Sequence, residues 1–192
     1  MSVTTLIKIF IAAMIVDNMV FIRYLGMCPY VGVTGDMDSA TGMGFAVIFV
    51  TTLATVVTWI VYHYFMTGLE FLEILVFIFT IASLVQLVEI YLKKNVPALY
   101  KSLGIYLPLI TTNCSILAIT FINIDKSYNF VESLLFAFGA SGGFAIALII
   151  LAGVRERLRF SNIPKFLKGY PIVFISIGLV AVAFLGFKGL IK

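Results

Sequence analysis

Six stretches, each close to the roughly 20 mostly apolar residues that cross a bilayer as a helix, follow one another along this chain. They are approximately Thr4–Ile22, Ala40–Tyr62, Glu70–Leu92, Leu103–Ile122, Val131–Val154 and Pro171–Ile191. In hydrocarbon a backbone must satisfy its own hydrogen bonds, so segments of this kind become helices. The connections are short, and none is a Pro/Ser-rich linker or a low-complexity tract. The expected fold is an all-α integral membrane protein with six transmembrane helices, a single membrane domain over residues 1–192.

Composition agrees. Hydrophobic residues make up 62% of the chain and charged residues 11%, against about 25% charged in a soluble domain. So little charge cannot cover a water-facing surface. The net charge of +4 reads as topology. The basic residues are not interleaved with aromatics on one face, which excludes nucleic acid as a partner. No basic region precedes the first apolar stretch and no small-residue cleavage site follows it, so that stretch is expected to stay as a span.

Basic residues also give an orientation. Arg23, Lys93, Lys94, Lys101, Arg155, Arg157, Arg159, Lys165 and Lys168 fall in the loops after spans 1, 3 and 5; Lys8, Lys126, Lys188 and Lys192 fall on the other side. The first group is expected to be cytoplasmic, with both termini outside. Six spans divide into three plus three, and an odd number per half makes the halves enter from opposite sides. Homologous halves, approximately 1–95 and 96–192, then form an inverted repeat, whose site lies near the midplane at interrupted helices.

The two cysteines, Cys28 and Cys114, each lie near the start of one half beside residues that break helices. Cys114 is 11 residues into span 4, roughly 16 Å along a helix and mid-bilayer. Cys28 follows a nearly uncharged stretch with Gly26, Pro29 and Gly32. Span 1 is therefore expected to break near Gly26, and Cys28 to stay in the membrane. Thiolate is the usual ligand of iron–sulfur clusters, and a two-iron cluster takes four. One chain with two cysteines supplies half a site, and a second chain the rest. Gly26 permits close backbone approach. Pro29 and Pro108 each remove a helix hydrogen bond, freeing amides for cluster sulfurs. Alternatively, each cysteine is a small buried hydrophobe.

Intramembrane polar groups mark interior faces or ion paths. Asp17 and Asn18 in span 1, and Glu89 in span 3, are the candidates, although Glu89 also stands four residues before Lys93 in the spacing of an interfacial pair. Gly139 and Gly143 have GxxxG spacing, read as helix packing. The run Arg155-Glu156-Arg157-Leu158-Arg159 reads as an anchor at the cytoplasmic face, and Trp59 and His63 as interfacial residues. One histidine in the chain argues against a dedicated histidine metal site. There is no phosphate loop, catalytic triad, haem signature or dinucleotide fingerprint. An inverted-repeat secondary transporter or ion-channel subunit without a redox cofactor fits the same pattern of spans and polar residues.

The segment Tyr24-Leu25-Gly26-Met27-Cys28-Pro29-Tyr30-Val31-Gly32-Val33 resembles the first cysteine motif of the RnfA/NqrE family, and Leu103 to Cys114 resembles the second. Val154-Arg155-Glu156-Arg157-Leu158 and Ala183 to Leu190 are similar as well, so the resemblance runs end to end. Pro29 after Cys28 and the short connection after span 2 bring it nearer the Rnf branch. Asn18-Met19 and Tyr128 to Ser133 resemble the NqrE branch.

The resemblance implies a bacterial inner-membrane redox pump passing electrons between ferredoxin and NAD while moving Na+ or H+. It implies an RnfE-like paralogous partner, the further Rnf subunits B, C, D and G, and a shared cluster, 2Fe-2S in type. Cys28 and Cys114 would be the metal ligands. The neighbouring backbone would be that of Gly26, Met27, Pro29, Thr112 and Asn113. Asp17 stands where many relatives are expected to carry asparagine.

Overall fold

The computed structural model describes residues 3–65, 73–95, 109–110 and 112–186, and the regular structure among them is helical. Helix α1 (Val3–Ile11) runs into a π-helical turn (Ala12–Val16). After an irregular stretch come the short α2 (Met27–Val33) and the long α3 (Met37–Phe65). Further along are α4 (Glu73–Asn95), α5 (Cys114–Asp125), α6 (Phe130–Arg159) and α7 (Tyr170–Leu185).

Helices α3 and α6 are long and apolar enough to cross a membrane. The helices over Leu6–Val16, Ile74–Ile90, Cys114–Asp125 and Tyr170–Leu185 are apolar but shorter. In α3 the β-branched threonines do not disrupt the helix. Thr52, Thr55 and Thr58 donate their hydroxyls to the carbonyls of Ile48, Thr51 and Ala54, four residues back, at 2.7–2.9 Å. A hydroxyl satisfied inside its own helix costs little in apolar surroundings. Helix α6 starts where the Asn129 amide donates to Glu132 Oε2 at 3.1 Å, a carboxylate at the positive end of the helix dipole. It ends with Arg157 and Arg159 in the last turn.

The centre is the α3–α6 pair. Met43, Val47 and Val50 meet Phe144, Leu148 and Leu151, and α2, α4 and α7 add Tyr30, Val85 and Ile177 to the same core. The outer surface is apolar too: Phe45, Phe79 and Leu179 are 70%, 77% and 69% exposed. Apolar area outside as well as inside suits lipid as the surrounding solvent. The GxxxG pair packs as expected, bringing α1 against α6. A Cβ on Gly139 would come within 2.8 Å of the Phe10 carbonyl, and one on Gly143 would press on the Met14 carbonyl.

The first span differs from expectation. A helix was expected over Thr4–Ile22 with its break near Gly26; regular helix stops at Val16, and residues 17–26 are irregular. The cause is Asn18, whose amide competes with the helical backbone. Its Nδ2 donates to the carbonyls of Gly143 at 3.0 Å and Met14 at 3.4 Å, and its Oδ1 accepts from the Val20 amide at 3.0 Å. Asn18, Met19, Val20 and Phe21 are all buried. Buried irregular backbone needs such partners. Thr112 and Asn113 lie outside any helix just before Cys114, and the first part of the expected fourth span lies outside the described residues. Pro108 lies outside the described residues, as does the end of the expected sixth span.

Candidate metal centre

The first cysteine segment is built around Gly26. Tyr24 and Gly26 both have positive φ, 54° and 79°. This double left-handed bend turns the chain from the irregular stretch into α2. Glycine is required at position 26 on two counts. L-residues resist that conformation, and a Cβ there would collide with Ser115 Oγ and lie 2.7 Å from Phe144 Cε2.

Cys28 is the second residue of α2 and is exposed; Met27 is half-buried and Pro29 buried. Pro29 does not interrupt a helix, as its sequence neighbourhood suggested. It stands in a first turn, where its missing N–H has no intrahelical acceptor. The far end of α2 is held from α6. Arg155 Nη1 donates to the Val31 carbonyl at 2.9 Å and to Thr34 Oγ1 at 2.8 Å.

The second segment is built around Asn113, the buried N-cap of α5. Its Oδ1 accepts from the Ser115 amide at 3.0 Å, an ordinary capping bond. Cys114 is the first residue of the helix and is exposed, as is Thr112. Asn113 Nδ2 and Ser115 Oγ are buried with no partner among the described residues. Unused buried polar atoms are uncommon, and here two sit beside a thiol.

One bond joins the segments. The Gly26 N–H donates to Cys114 Sγ at 2.9 Å, across 88 positions. Cys28 is two residues further on, so its Cα lies within roughly 7.6 Å of the Cα of Gly26. Both thiols therefore occupy first turns of helices, where amides lack intrahelical acceptors and the dipole favours negative charge. Cys114 also opens on a cleft of about 380 Å³ with Arg23, Leu25, Ile74 and Phe121 in its walls.

The donor set suits half of an iron–sulfur cluster. Two outward thiols at helix N-termini, with backbone amides nearby, meet its need for thiolate ligands and hydrogen bonds to sulfur. Among the described residues no three of His, Cys, Asp and Glu gather where they could hold a metal.

The other polar candidates fall elsewhere. Asp17 is bound in a two-pronged ion pair with Arg23, Oδ2 to Nη2 at 2.9 Å and Oδ1 to Nε at 3.2 Å. Asn18 is committed to the backbone of residues 14, 20 and 143. Glu89 is partly buried on α4 and does not line the cleft. Ser115 went unnoticed in sequence, and Arg155 was read only as part of the cytoplasmic anchor run. Arg155 had a signal: with Leu148 and Leu151 it falls at i, i+3 and i+7, the buried stripe of α6.

The model of a family described as "Rnf-Nqr subunit, membrane protein" matches residues 6–191. The chain is 48% identical over 188 residues to a subunit of the Na(+)-translocating ferredoxin:NAD(+) oxidoreductase complex of Acetobacterium woodii, covering 97% of this chain and 98% of that one. It is 45% identical over 188 residues to a subunit of the proton-translocating ferredoxin:NAD(+) oxidoreductase complex of Clostridium ljungdahlii, covering 97% of each. It is likewise 48% identical over 188 residues to a subunit of the ion-translocating oxidoreductase complex of Syntrophotalea carbinolica, covering 97% of each. With identity of this order over nearly its whole length, the chain belongs to the Rnf-Nqr family of membrane-protein subunits.

Proposed function

We propose that this chain is a membrane subunit of an ion-translocating ferredoxin:NAD oxidoreductase, and that Cys28 and Cys114 provide half the ligands of an iron–sulfur cluster. The other half comes from two thiolates of an RnfE-like paralogous partner. A two-iron cluster bound there supplies a one-electron relay within the membrane, coupled to Na+ or H+ transport. The single observation that carries this reading is the Gly26 N–H to Cys114 Sγ bond of 2.9 Å, which ties the two cysteine segments together. Names of relatives with comparable identity support the complex.

Each group in the chain has a task in this reading. Cys28 and Cys114 hold the metal. The Gly26 amide donates to sulfur and tunes its charge. Asn113 fixes the start of α5, and Arg155 fixes the end of α2. Leu25, Ile74 and Phe121 keep water from the cleft. Asp17, Asn18 and Glu89 remain the candidate polar groups for an ion path. The membrane arrangement we propose is six spans in two inverted halves of one domain, in a bacterial inner membrane with both termini outside.

Iron and acid-labile sulfide analysis of the co-purified subunit pair is the test. About two iron atoms per pair are expected. Cys28→Ala and Cys114→Ala should each abolish that iron, ferredoxin:NAD turnover and ion transport by the complex. An iron-free pair, or turnover surviving in either variant, overturns the reading in favour of a transporter without a redox cofactor.

A further inference from the structure

A second cleft lies where α6 hands over to α7. It holds about 180 Å³, and its walls carry Arg155, Arg159 and Lys168 together with the first turn of α7. We propose that this cleft binds a phosphate group, carried either on a phospholipid headgroup or free in solution. The inference does not rest on the metal reading, although Arg155 takes part in both.

Charge is the first support. Arg155 and Arg159 stand one turn apart on α6, and Lys168 reaches the same cleft from the connection to α7. Like charges at that helical spacing repel. Among the described residues, no carboxylate is found within ion-pair distance of any of the three. Ordinary topology-setting basic residues spread over exposed loops. Three converging on one cavity with no carboxylate paired to them among the described residues instead ask for an anion.

Orientation is the second support. Arg155 Nη1 is pinned on Val31 and Thr34. The pinned guanidinium keeps its remaining N–H donors in a fixed plane, the geometry that suits phosphate. Gly169, Ile172 and Val173 from the start of α7, a helix of 16 residues, close the cleft. The positive end of that helix adds to the attraction.

The surroundings are the third support. Leu158, Ile163 and Ile172 make part of the cleft wall apolar. Phe160 and Phe166 in the same connection and Tyr170 at the start of α7 are 90%, 80% and 70% exposed. Exposed aromatics beside basic residues mark the headgroup level of a membrane protein, and basic pockets between its helices hold anionic headgroups.

Native mass spectrometry of the intact complex tests this, with phosphatidylglycerol, phosphatidylcholine and inorganic phosphate as probes. The native complex is expected to retain phosphatidylglycerol in preference to phosphatidylcholine. Arg159→Gln with Lys168→Gln should weaken that retention by about fivefold per cation removed. Where this double variant does not assemble, Lys168→Gln alone should show the single step. Competition by inorganic phosphate identifies the free anion as the source, and its absence identifies the lipid; either upholds phosphate recognition. Equal binding of both lipids together with no binding of inorganic phosphate, in native and variant complexes alike, overturns the proposal. So does loss of a neighbouring protein from the variant with anion binding unchanged, which would make the cleft a protein contact. Iron content should not move in any arm, so failure here leaves the metal reading standing.

Discussion

Gly26 and Cys114 are 88 positions apart, and one N–H···S bond of 2.9 Å joins them. That bond requires a residue without a side chain, because of the φ of 79° and because Ser115 and Phe144 occupy the space. The close approach of the two cysteine segments is thus written into a single glycine.

Gly26→Ala is expected to destabilise the chain by about 1–3 kcal/mol through backbone strain and overpacking. It should also push the Gly26 amide away from sulfur. The expected result is a subunit pair that still co-purifies but has lost most of its iron, read by metal analysis. Full iron content in this variant would show that the bond is dispensable.

Asn18→Leu keeps the volume but removes the donor to Gly143 and the acceptor for Val20. The buried Val20 amide then lacks a partner, while the Gly143 carbonyl keeps only its bond within α6, at a cost of about 1–3 kcal/mol. A clear drop in the thermal unfolding midpoint of the purified subunit pair is expected.

Adjacent glycines in α6 should behave oppositely. A Cβ on Gly142 meets nothing within 4 Å, whereas one on Gly143 meets the Met14 carbonyl and Asn18. Gly142→Ala should therefore be neutral or stabilising, by up to about 1 kcal/mol from helix propensity. Gly143→Ala should cost about 1–3 kcal/mol from overpacking. Thermal melts of the two variants side by side decide this.

Arg155→Met removes the hold on the C-terminal end of α2. Cys28 stays, but the helix that carries it loses two hydrogen bonds to a charged donor, each worth about 1.5–3 kcal/mol. A shifted midpoint potential in a redox titration of the complex is expected, with part of the shift recovered by Arg155→Lys. A merely structural loss would lower the yield and leave the potential where it was.

The Asp17–Arg23 pair is 33% and 39% exposed, and exposed pairs contribute below about 1 kcal/mol. Asp17→Asn should therefore leave assembly and iron content unchanged. As a path carboxylate, its loss should lower ion transport relative to electron transfer in proteoliposomes. Unchanged coupling would remove Asp17 from the path.

The helical architecture was legible because apolar runs in lipid leave the backbone little alternative. The first cysteine segment was legible because Gly26 announces irregular backbone; for the second the signal used was Pro108, outside the described residues, whereas the residue that opens α5 is Asn113. The true end of the first helix was not legible. Ala12-Ala13-Met14-Ile15-Val16 and Met19-Val20-Phe21-Ile22 read as one apolar run, and the partner that stops it, Gly143, is 125 positions from Asn18. Long-range pairings of this kind leave no local pattern. Arg155 was obscured differently: it shares a run with Arg157 and Arg159, and only the helical stripe separates it from them.

Both sulfurs lie on the outside of the chain. A newly inserted copy that has not met its counterpart carries them uncovered, open to oxidation up the ladder toward sulfinic and sulfonic acid. Under the proposed shared cluster, metal loading and pairing would therefore have to outrun oxygen, and making the two subunits together would protect both sulfurs.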